Sequence, residues 1–175
     1  MNDSGRFEAF VTAHQHMVYA TALRLLASPA DAEDVAQGVF VKAFEHFDRL
    51  LITDNPAGWL KTVTRHDCLN HLSRYRARWR FFSELETGDE NDGVDIAASD
   101  EPLGESLDRA RQHERLNLAV SRLPDHQRVP LVLFHFEDLS YQQIADTLGV
   151  SVAKIKTDIH RARRALRHHL VDVRV

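Results

Sequence analysis

LSYQQIADTLGVSVAKIKTDIHRARRALRHHL, residues 139–170, reads as two helices joined by one tight turn. Ser140 is placed to cap the first helix, Gln143 three residues on completes a capping box, and Ile144, Ala145 and Leu148 form its apolar face. Gly149 ends that helix, because glycine takes the left-handed conformation that closes a helix C-terminus without steric cost. Ser151 is a fresh N-cap two residues later, which leaves a turn of three or four residues. In the second helix Val152, Ile155, Ile159, Ala162, Leu166 and Leu170 recur at spacings of three and four and make one buried stripe. Lys154, Lys156, Thr157, Arg161, Arg163, Arg164 and Arg167 lie off that stripe, where a helix laid in the major groove presents side chains to base edges and phosphates. The pattern predicts a helix-turn-helix; an αα-hairpin with a solvated basic face is the other reading of it.

The overall charge looks wrong for a nucleic-acid binder. The formal net is −4 over 175 residues, from 22 basic and 26 acidic side chains. The acids are concentrated, however: residues 83–108 hold ten of them and no Lys or Arg, and the remainder of the chain carries a net of +6. With Gly88, Gly93, Pro102 and Gly104 and few large apolar groups, the stretch from 83 to about 104 has the composition of a linker that cannot bury enough surface to order itself. It divides the chain into two helical units.

Ahead of the linker, Phe7, Phe10, Val11, Val18, Ala22, Leu25 and Leu26 follow a helical period over about five turns. Ser28, Pro29 and Asp31 then form a helix start: a capping serine, proline in the first turn, and an acid where the helix dipole favours one. The helix that follows carries Val35, Ala36, Val39, Phe40, Ala43, Phe44 and Phe47 on its apolar side and Asp31, Asp34, Gln37 and Lys42 on the other. A loop is predicted from about Asp48 to Asp54, after which Asn55 and Pro56 open another helix. Its apolar residues are Trp59, Leu60, Val63, Leu69, Leu72 and Tyr75, and it is strongly basic through Lys61, Arg65, Arg74, Arg76, Arg78 and Arg80, with Asp67 the one acid among them. Cations interleaved with Trp59, Tyr75, Trp79, Phe81 and Phe82 suit single-stranded nucleic acid, which needs charge for phosphates and flat rings for unstacked bases. The plainer reading makes the rings core and the arginines solvated.

Beyond the linker, Leu107, Ala110, Glu114, Leu118 and Ser121 share one side of a predicted helix, which Leu123 and Pro124 stop. PDHQRVPLVLFHFED, residues 124–138, reads as a short apolar helix that Pro130, lacking a backbone donor, should kink. Strand patterns, phosphate-cradling glycine loops and internal repeats are not evident. His66, Cys68 and His71 are the tightest group of metal-ligating residue types, but only Cys68 and His71 share a helical face, and no histidine–carboxylate pair has a catalytic spacing. The composition therefore argues for no metal, no cofactor and no enzyme. One cysteine, no apolar leader at MNDSGRFEAF and no run of membrane-spanning length suit the cytoplasm and argue against membrane insertion.

Two blocks together resemble a known family. DAEDVAQGVFVKAF with NPAGWLKTVTRHDCLNHL resembles region 2, and LPDHQRVPLVLFHFEDLSYQQIADTLGVSVAKIKTDIHRARRAL resembles region 4, of the extracytoplasmic-function (ECF) sigma factors of the bacterial sigma-70 family. The resemblance covers roughly residues 7–82 and 113–170, and the order of the blocks and the absence of the further regions of larger sigma factors make it specific. It implies an all-α chain of two small helical domains. Residues 1–82 would form a region 2-like bundle, 83–106 an acidic flexible linker, and 107–175 a region 4-like helix-turn-helix domain.

The function implied is promoter recognition, DNA melting and transcription initiation in complex with core RNA polymerase. Asp31, Asp34 and Gln37 would dock on the clamp helices of the largest catalytic subunit. The loop from Leu50 to Asn55 and Trp59, Lys61, Arg65, His66, Asn70, Arg74 and Arg76 would receive the melted −10 element. Ser151, Lys154, Lys156, Thr157, Arg161, Arg163 and Arg164 would read the −35 duplex. An anti-sigma factor is a further partner that the resemblance implies. Three residues depart from the family pattern: Gly38 where an acid is usual, His66 where asparagine is frequent, and Asp158 where arginine is common. An acid at 158 either faces DNA, repelling phosphate while able to accept from a cytosine amino group, or faces solvent and pairs with Lys154 or Arg161. The alternative function is a stand-alone helix-turn-helix regulator, which would dimerise on a palindromic duplex and would have no need of a basic, aromatic helix for single strands.

Overall fold

The computed structural model describes residues 3–75 and 106–171, and their regular structure is helical throughout. The first unit comprises α1 (Asp3–Leu26), α2 (Pro29–Glu45), the short α3 (Phe47–Leu51) and α4 (Pro56–His71), which runs on into a 3-10 turn, Leu72–Tyr75. The second comprises α5 (Ser106–Ser121), α6 (Asp125–His135), α7 (Tyr141–Leu148) and α8 (Val152–Val171). Apart from Ser106, the predicted acidic linker at 83–106 lies outside the described residues, as do Arg76, Arg78, Trp79, Arg80, Phe81 and Phe82.

Local chemistry starts and stops these helices. The Ser28 hydroxyl accepts from the Asp31 amide at 3.3 Å to open α2, and the Asn55 side chain accepts from the Gly58 amide at 2.8 Å to open α4. Gly58 is needed for the second cap, since a Cβ there would stand 2.6 Å from the Asn55 amide nitrogen. The 48–54 stretch is not all loop. Phe47 and Leu50, three apart and both buried, fold FDRLL into a single turn and a half, leaving Ile52 exposed at the tip.

Two apolar clusters hold the molecule together. The smaller lies within the first unit, where Val18, Ala36, Val39, Ala43, Leu50 and Leu60 are buried between α1, α2 and α4. The larger is shared: Ala22, Leu25, Leu26, Cys68, Leu69 and Leu72 of the first unit are continuous with Val120, Leu123, Val129, Val132, Leu133, Ile144, Ile155 and Ile159 of the second. The two units therefore close on one another around the C-terminal end of α1.

Arg128 fastens that closure. Only 3% exposed, it donates from Nη1 to the Leu123 carbonyl at 2.8 Å within its own unit. It reaches across from Nε to the Leu25 carbonyl at 3.3 Å and from Nη2 to the Leu26 carbonyl at 3.4 Å. Those are among the last carbonyls of α1, which have no helical donor, and the Asp125 carboxylate pairs with the same guanidinium. Nearby, Arg24 of α1 donates from Nε to the side-chain Oδ1 of Asn117 in α5 at 3.1 Å and lies 4.6 Å from the Phe136 ring centroid.

Two expectations about helix faces are corrected. The inward side of α5 is the half-buried Leu116 with the buried Ala119 and Val120, continued by Leu123 just past its end, so Leu118 points outward and is 54% exposed. Leu170 ends the predicted stripe of α8 but is 38% exposed, one residue before the helix ends at Val171. Pro130 is buried inside α6, which continues through it from Asp125 to His135.

Candidate nucleic-acid interface

The helix-turn-helix forms as its sequence dictates. The Ser140 hydroxyl accepts from the Gln143 amide at 3.2 Å while the Gln143 side chain accepts from the Ser140 amide at 2.9 Å. Gly149 sits at φ 68°, and the Ala145 carbonyl accepts from both Gly149 and Val150, at 2.8 and 3.1 Å. Ser151 then caps α8 by accepting from the Lys154 amide at 3.2 Å. Ile155, Ile159 and Ala162 are buried against the unit's core, with Val152 and Leu166 half-buried beside them.

On the other side of α8, Ser151, Lys156, Thr157, Arg164 and Arg167 are exposed and Arg161 is half-buried. Lys156 lies 5.8 Å from the Tyr141 ring centroid, near the start of α7. Lys154 and Arg163, expected on this face, are engaged elsewhere. The Lys154 ammonium pairs with Asp158 at 3.0 Å, and both side chains are largely buried. The pairing with Lys154 is realised, but neither reading of Asp158 anticipated its burial: at 2% exposed it is presented neither to DNA nor to solvent, because it lies on the side of α8 packed against the unit's core. Arg163 folds back on α6, donating from Nε to the His135 Nε2 at 3.2 Å with its guanidinium 5.7 Å from the Phe134 ring centroid. Desolvation, and next the Arg163 charge, lower the His135 pKa from its ordinary value, which favours the neutral ring that accepts from Arg163. Sequence reasoning also missed His160, which lies half-buried between Thr157 and Arg161; its position was legible in the same helical spacing.

The second basic surface is α4. Leu60, Thr64, Cys68 and Leu69 face inward, and Thr64 satisfies its hydroxyl by donating to the Leu60 carbonyl at 2.7 Å. Burial pushes the Cys68 thiol up to about 12, with the Asp67 and Glu137 charges adding to the shift. Lys61, His66 and Asn70 are exposed and Arg65 is half-buried. The Asn70 amide lies 3.2 Å from His66 Nδ1, so the two predicted strand-reading residues form one polar unit a single turn long. Asp67 pairs with Lys42 of α2 at 2.6 Å, which directs its charge across the helix interface and away from the basic row. Trp59 is half-buried: it packs on the first unit's cluster and meets His46 edge-on at 6.0 Å, so it is both core and partly accessible ring. Arg74 falls in the 3-10 turn, and Arg76 lies outside the described residues.

The polar face of α2 is open. Asp34 and Gln37 are exposed, and Asp31 pairs with His71 of α4 at 3.4 Å. Beside Gln37 an apolar groove of about 610 Å³ runs between α1 and α2, lined by Phe7, Val11, Tyr19, Phe40, Val41 and Phe44. Val41 and Phe44 are 60% and 61% exposed there, an apolar surface of the kind that marks a protein contact. Among the described residues no three His, Cys, Asp or Glu side chains are grouped to hold a metal ion, and no helix is long and apolar enough to cross a membrane.

Residues 10–79 match the family model for sigma-70 region 2, and residues 113–166 match that for sigma-70, region 4. RNA polymerase sigma factor YlaC of Bacillus subtilis is 32% identical over 144 residues, covering 82% of this chain and 79% of the relative. ECF RNA polymerase sigma factor SigW of the same species is 25% identical over 172 residues, covering 98% and 92%. A solved structure of the sigma factor RpoE in complex with the anti-sigma factor NepR from Bartonella quintana aligns with 94% of this chain and 96% of that chain, at 24% identity and a TM-score of 0.49.

Proposed function

This chain belongs to the extracytoplasmic-function group of the sigma-70 family of RNA polymerase sigma factors, and from that premise we propose how its surfaces divide the work of transcription initiation. Residues 1–82 form the unit for core polymerase and the −10 element, residues 107–175 the unit for the −35 element, and residues 83–106 the tether between them. The observation that carries this reading is the presence, in one chain, of two separate basic helices of different character. α8 offers Lys156, Thr157, Arg161 and Arg164 on a helix-turn-helix, the geometry for duplex. α4 offers Lys61, Arg65, His66 and Asn70 beside the half-buried Trp59, the combination for an unpaired strand.

The α2 face of Asp31, Asp34 and Gln37, extended by the apolar groove, docks on the clamp helices of core polymerase. The exposed tip at Ile52 and Thr53 and the start of α4 receive a base turned out of the melted strand. Unstacking costs a few kcal/mol, which stacking, phosphate contacts and hydrogen bonds to the flipped base offset. The chain does no chemistry of its own: by holding the unpaired non-template strand it favours the open complex over the closed one, and the population shifts. Ser151 positions the N-terminus of α8 at the duplex, while Lys154 and Arg163, tied to Asp158 and His135, support the reading helix from behind. An anti-sigma factor completes the set of partners by family analogy.

The test is multi-round transcription with purified bacterial core RNA polymerase on fragments with randomised −35 and −10 segments. Specific transcripts that depend on the added protein are expected. No dependence on the protein, together with tight polymerase-free binding to a palindromic duplex, would replace this reading with the stand-alone regulator.

A further inference from the structure

α6, α7 and α8 share a ladder of cations and rings. The Phe134 and Tyr141 rings lie parallel, with 4.6 Å between centroids and 6° between planes. At one end Lys156 lies 5.8 Å from the Tyr141 centroid, and at the other Arg163 lies 5.7 Å from that of Phe134. Lys156 is exposed on the duplex face, and Arg163 follows it in α8 by about two helical turns, so its backbone stands at nearly the same angle. Its guanidinium nevertheless ends on α6. Nε and Nη2 both approach one ring nitrogen, Nε2 of His135, at 3.2 and 3.1 Å. A guanidinium only donates, so that nitrogen carries no proton and the ring is the neutral Nδ1–H tautomer.

We infer that His135 is a positioning residue for duplex binding: its neutral ring holds Arg163 back against α6, and its protonated ring releases Arg163 to a DNA phosphate on the side of α8 that Lys156 faces. The inference rests on the reading of α8 as the duplex surface. An imidazolium has no lone pair at Nε2 and repels the guanidinium, and His135 is exposed, so the ring exchanges protons with solvent. The titratable and charged groups about it are Arg163 of α8 in direct contact, His160 and Arg167 one turn to either side of Arg163, Tyr141 of α7 behind Phe134, and Glu137 and Asp138 in the turn after α6. Desolvation, then the Arg163 charge, lower the His135 pKa, so the holding form is the one present at neutral pH. Acid thus removes an internal contact and supplies one to DNA.

The experiment uses the full chain and a fluorescein-labelled duplex of random sequence, because a phosphate contact forms without regard to sequence. Anisotropy gives Kd and its salt slope at pH 7.5 and pH 5.5, and circular dichroism checks that each variant stays helical at both. Other histidines also gain charge in acid, so the reference is His135→Gln, which keeps an acceptor for Arg163 but does not titrate. Wild type should tighten on acidification about fivefold more than His135→Gln at about 50 mM salt, with a salt slope steeper by up to about 0.9, the share of one phosphate. His135→Ala, with no acceptor, should bind about tenfold tighter than wild type already at pH 7.5. Adding Arg163→Gln to His135→Ala should remove that gain.

A wild type and His135→Gln that respond to acid within about twofold of each other, while binding stays sensitive to Arg164→Ala, would overturn the role of His135 and leave α8 as the duplex surface. A gain in His135→Ala that survives Arg163→Gln would overturn it too, since another group would then make the contact. Binding that is absent at about 50 mM salt, or insensitive to Arg164→Ala, would overturn the reading of α8 and this inference with it. Should His135→Ala lose helix, the comparison of wild type with His135→Gln decides alone.

Discussion

Arg128→Ala is the perturbation whose cost follows most directly from the geometry. The side chain is 3% exposed and holds three carbonyl oxygens and one carboxylate. Hydrogen bonds to a charged group contribute roughly 1.5–3 kcal/mol each when well made, and the 2.8 Å bond to Leu123 belongs in that range. The bonds to Leu25 and Leu26, at 3.3 and 3.4 Å, contribute less, but both are to helix-end carbonyls that lose this donor in the variant. Asp125 is about one-third exposed and recovers water, which limits the penalty on that side. The expected loss is about 3–5 kcal/mol, the range for removing one partner of a buried ion pair. Equilibrium unfolding in urea reads it directly, and Arg128→Lys should fall between, since one ammonium cannot reach both units' carbonyls in a planar fork. A loss under about 1 kcal/mol for Arg128→Ala would refute the claim that this side chain joins the two units.

Three further outcomes test other parts of the structure. Asp158→Arg should lower the thermal midpoint by several degrees by setting two cations together in a largely buried site, and adding Lys154→Glu should restore most of it, measured by calorimetry. His135 has its pKa depressed by burial and the Arg163 charge, and a base with a depressed folded-state pKa contributes stability that is present above its unfolded value of about 6.5 and lost as pH falls through the folded one. Unfolding measured from pH 7.5 downward should therefore show the wild type losing stability below about pH 6.5 more steeply than His135→Gln. Asp138→Gly should stabilise the protein by about 0.5 kcal/mol, the left-handed strain relieved less the entropy glycine adds to the unfolded chain, read as a higher urea midpoint.

Features set within a few residues of one another were legible in the sequence. The capping box of Ser140 and Gln143, the left-handed Gly149, the caps at Ser28 and Asn55 and the stripe from Val152 to Ala162 all depend on spacings of three and four. The register of α5 was misread because Leu118 and Leu107 are large apolar residues, whereas the buried side includes the small Ala119. α3 escaped notice because five residues give too little periodicity to distinguish a turn of helix from a loop. Asp158, Lys154 and Arg163 looked alike as charged residues off an apolar stripe; only the packing of α8 on the unit's core separates the buried pair from the open face. The joining of the units was beyond reach, since Arg128 and Leu25 lie 103 residues apart and nothing in either neighbourhood points to the other. One hint was present: Arg128 stands directly before the apolar run of α6, where a charge drawn into the core needs a buried partner, and here the partner is the end of another helix.

The shared core also bears on solubility. Leu26, Leu69, Leu72, Val129 and Leu133 are each at most 7% exposed in the closed chain, and they belong to one continuous apolar body. Parting the units therefore divides a hydrophobic core and leaves two oily faces at once, a burden quite different from moving two polar surfaces apart. A chain opened by mutation should consequently self-associate as its concentration rises, unless a partner takes up those faces. Opening and assembly are for that reason best regarded as one exchange of contacts, in which the polymerase or another protein takes the place that each half held against the other.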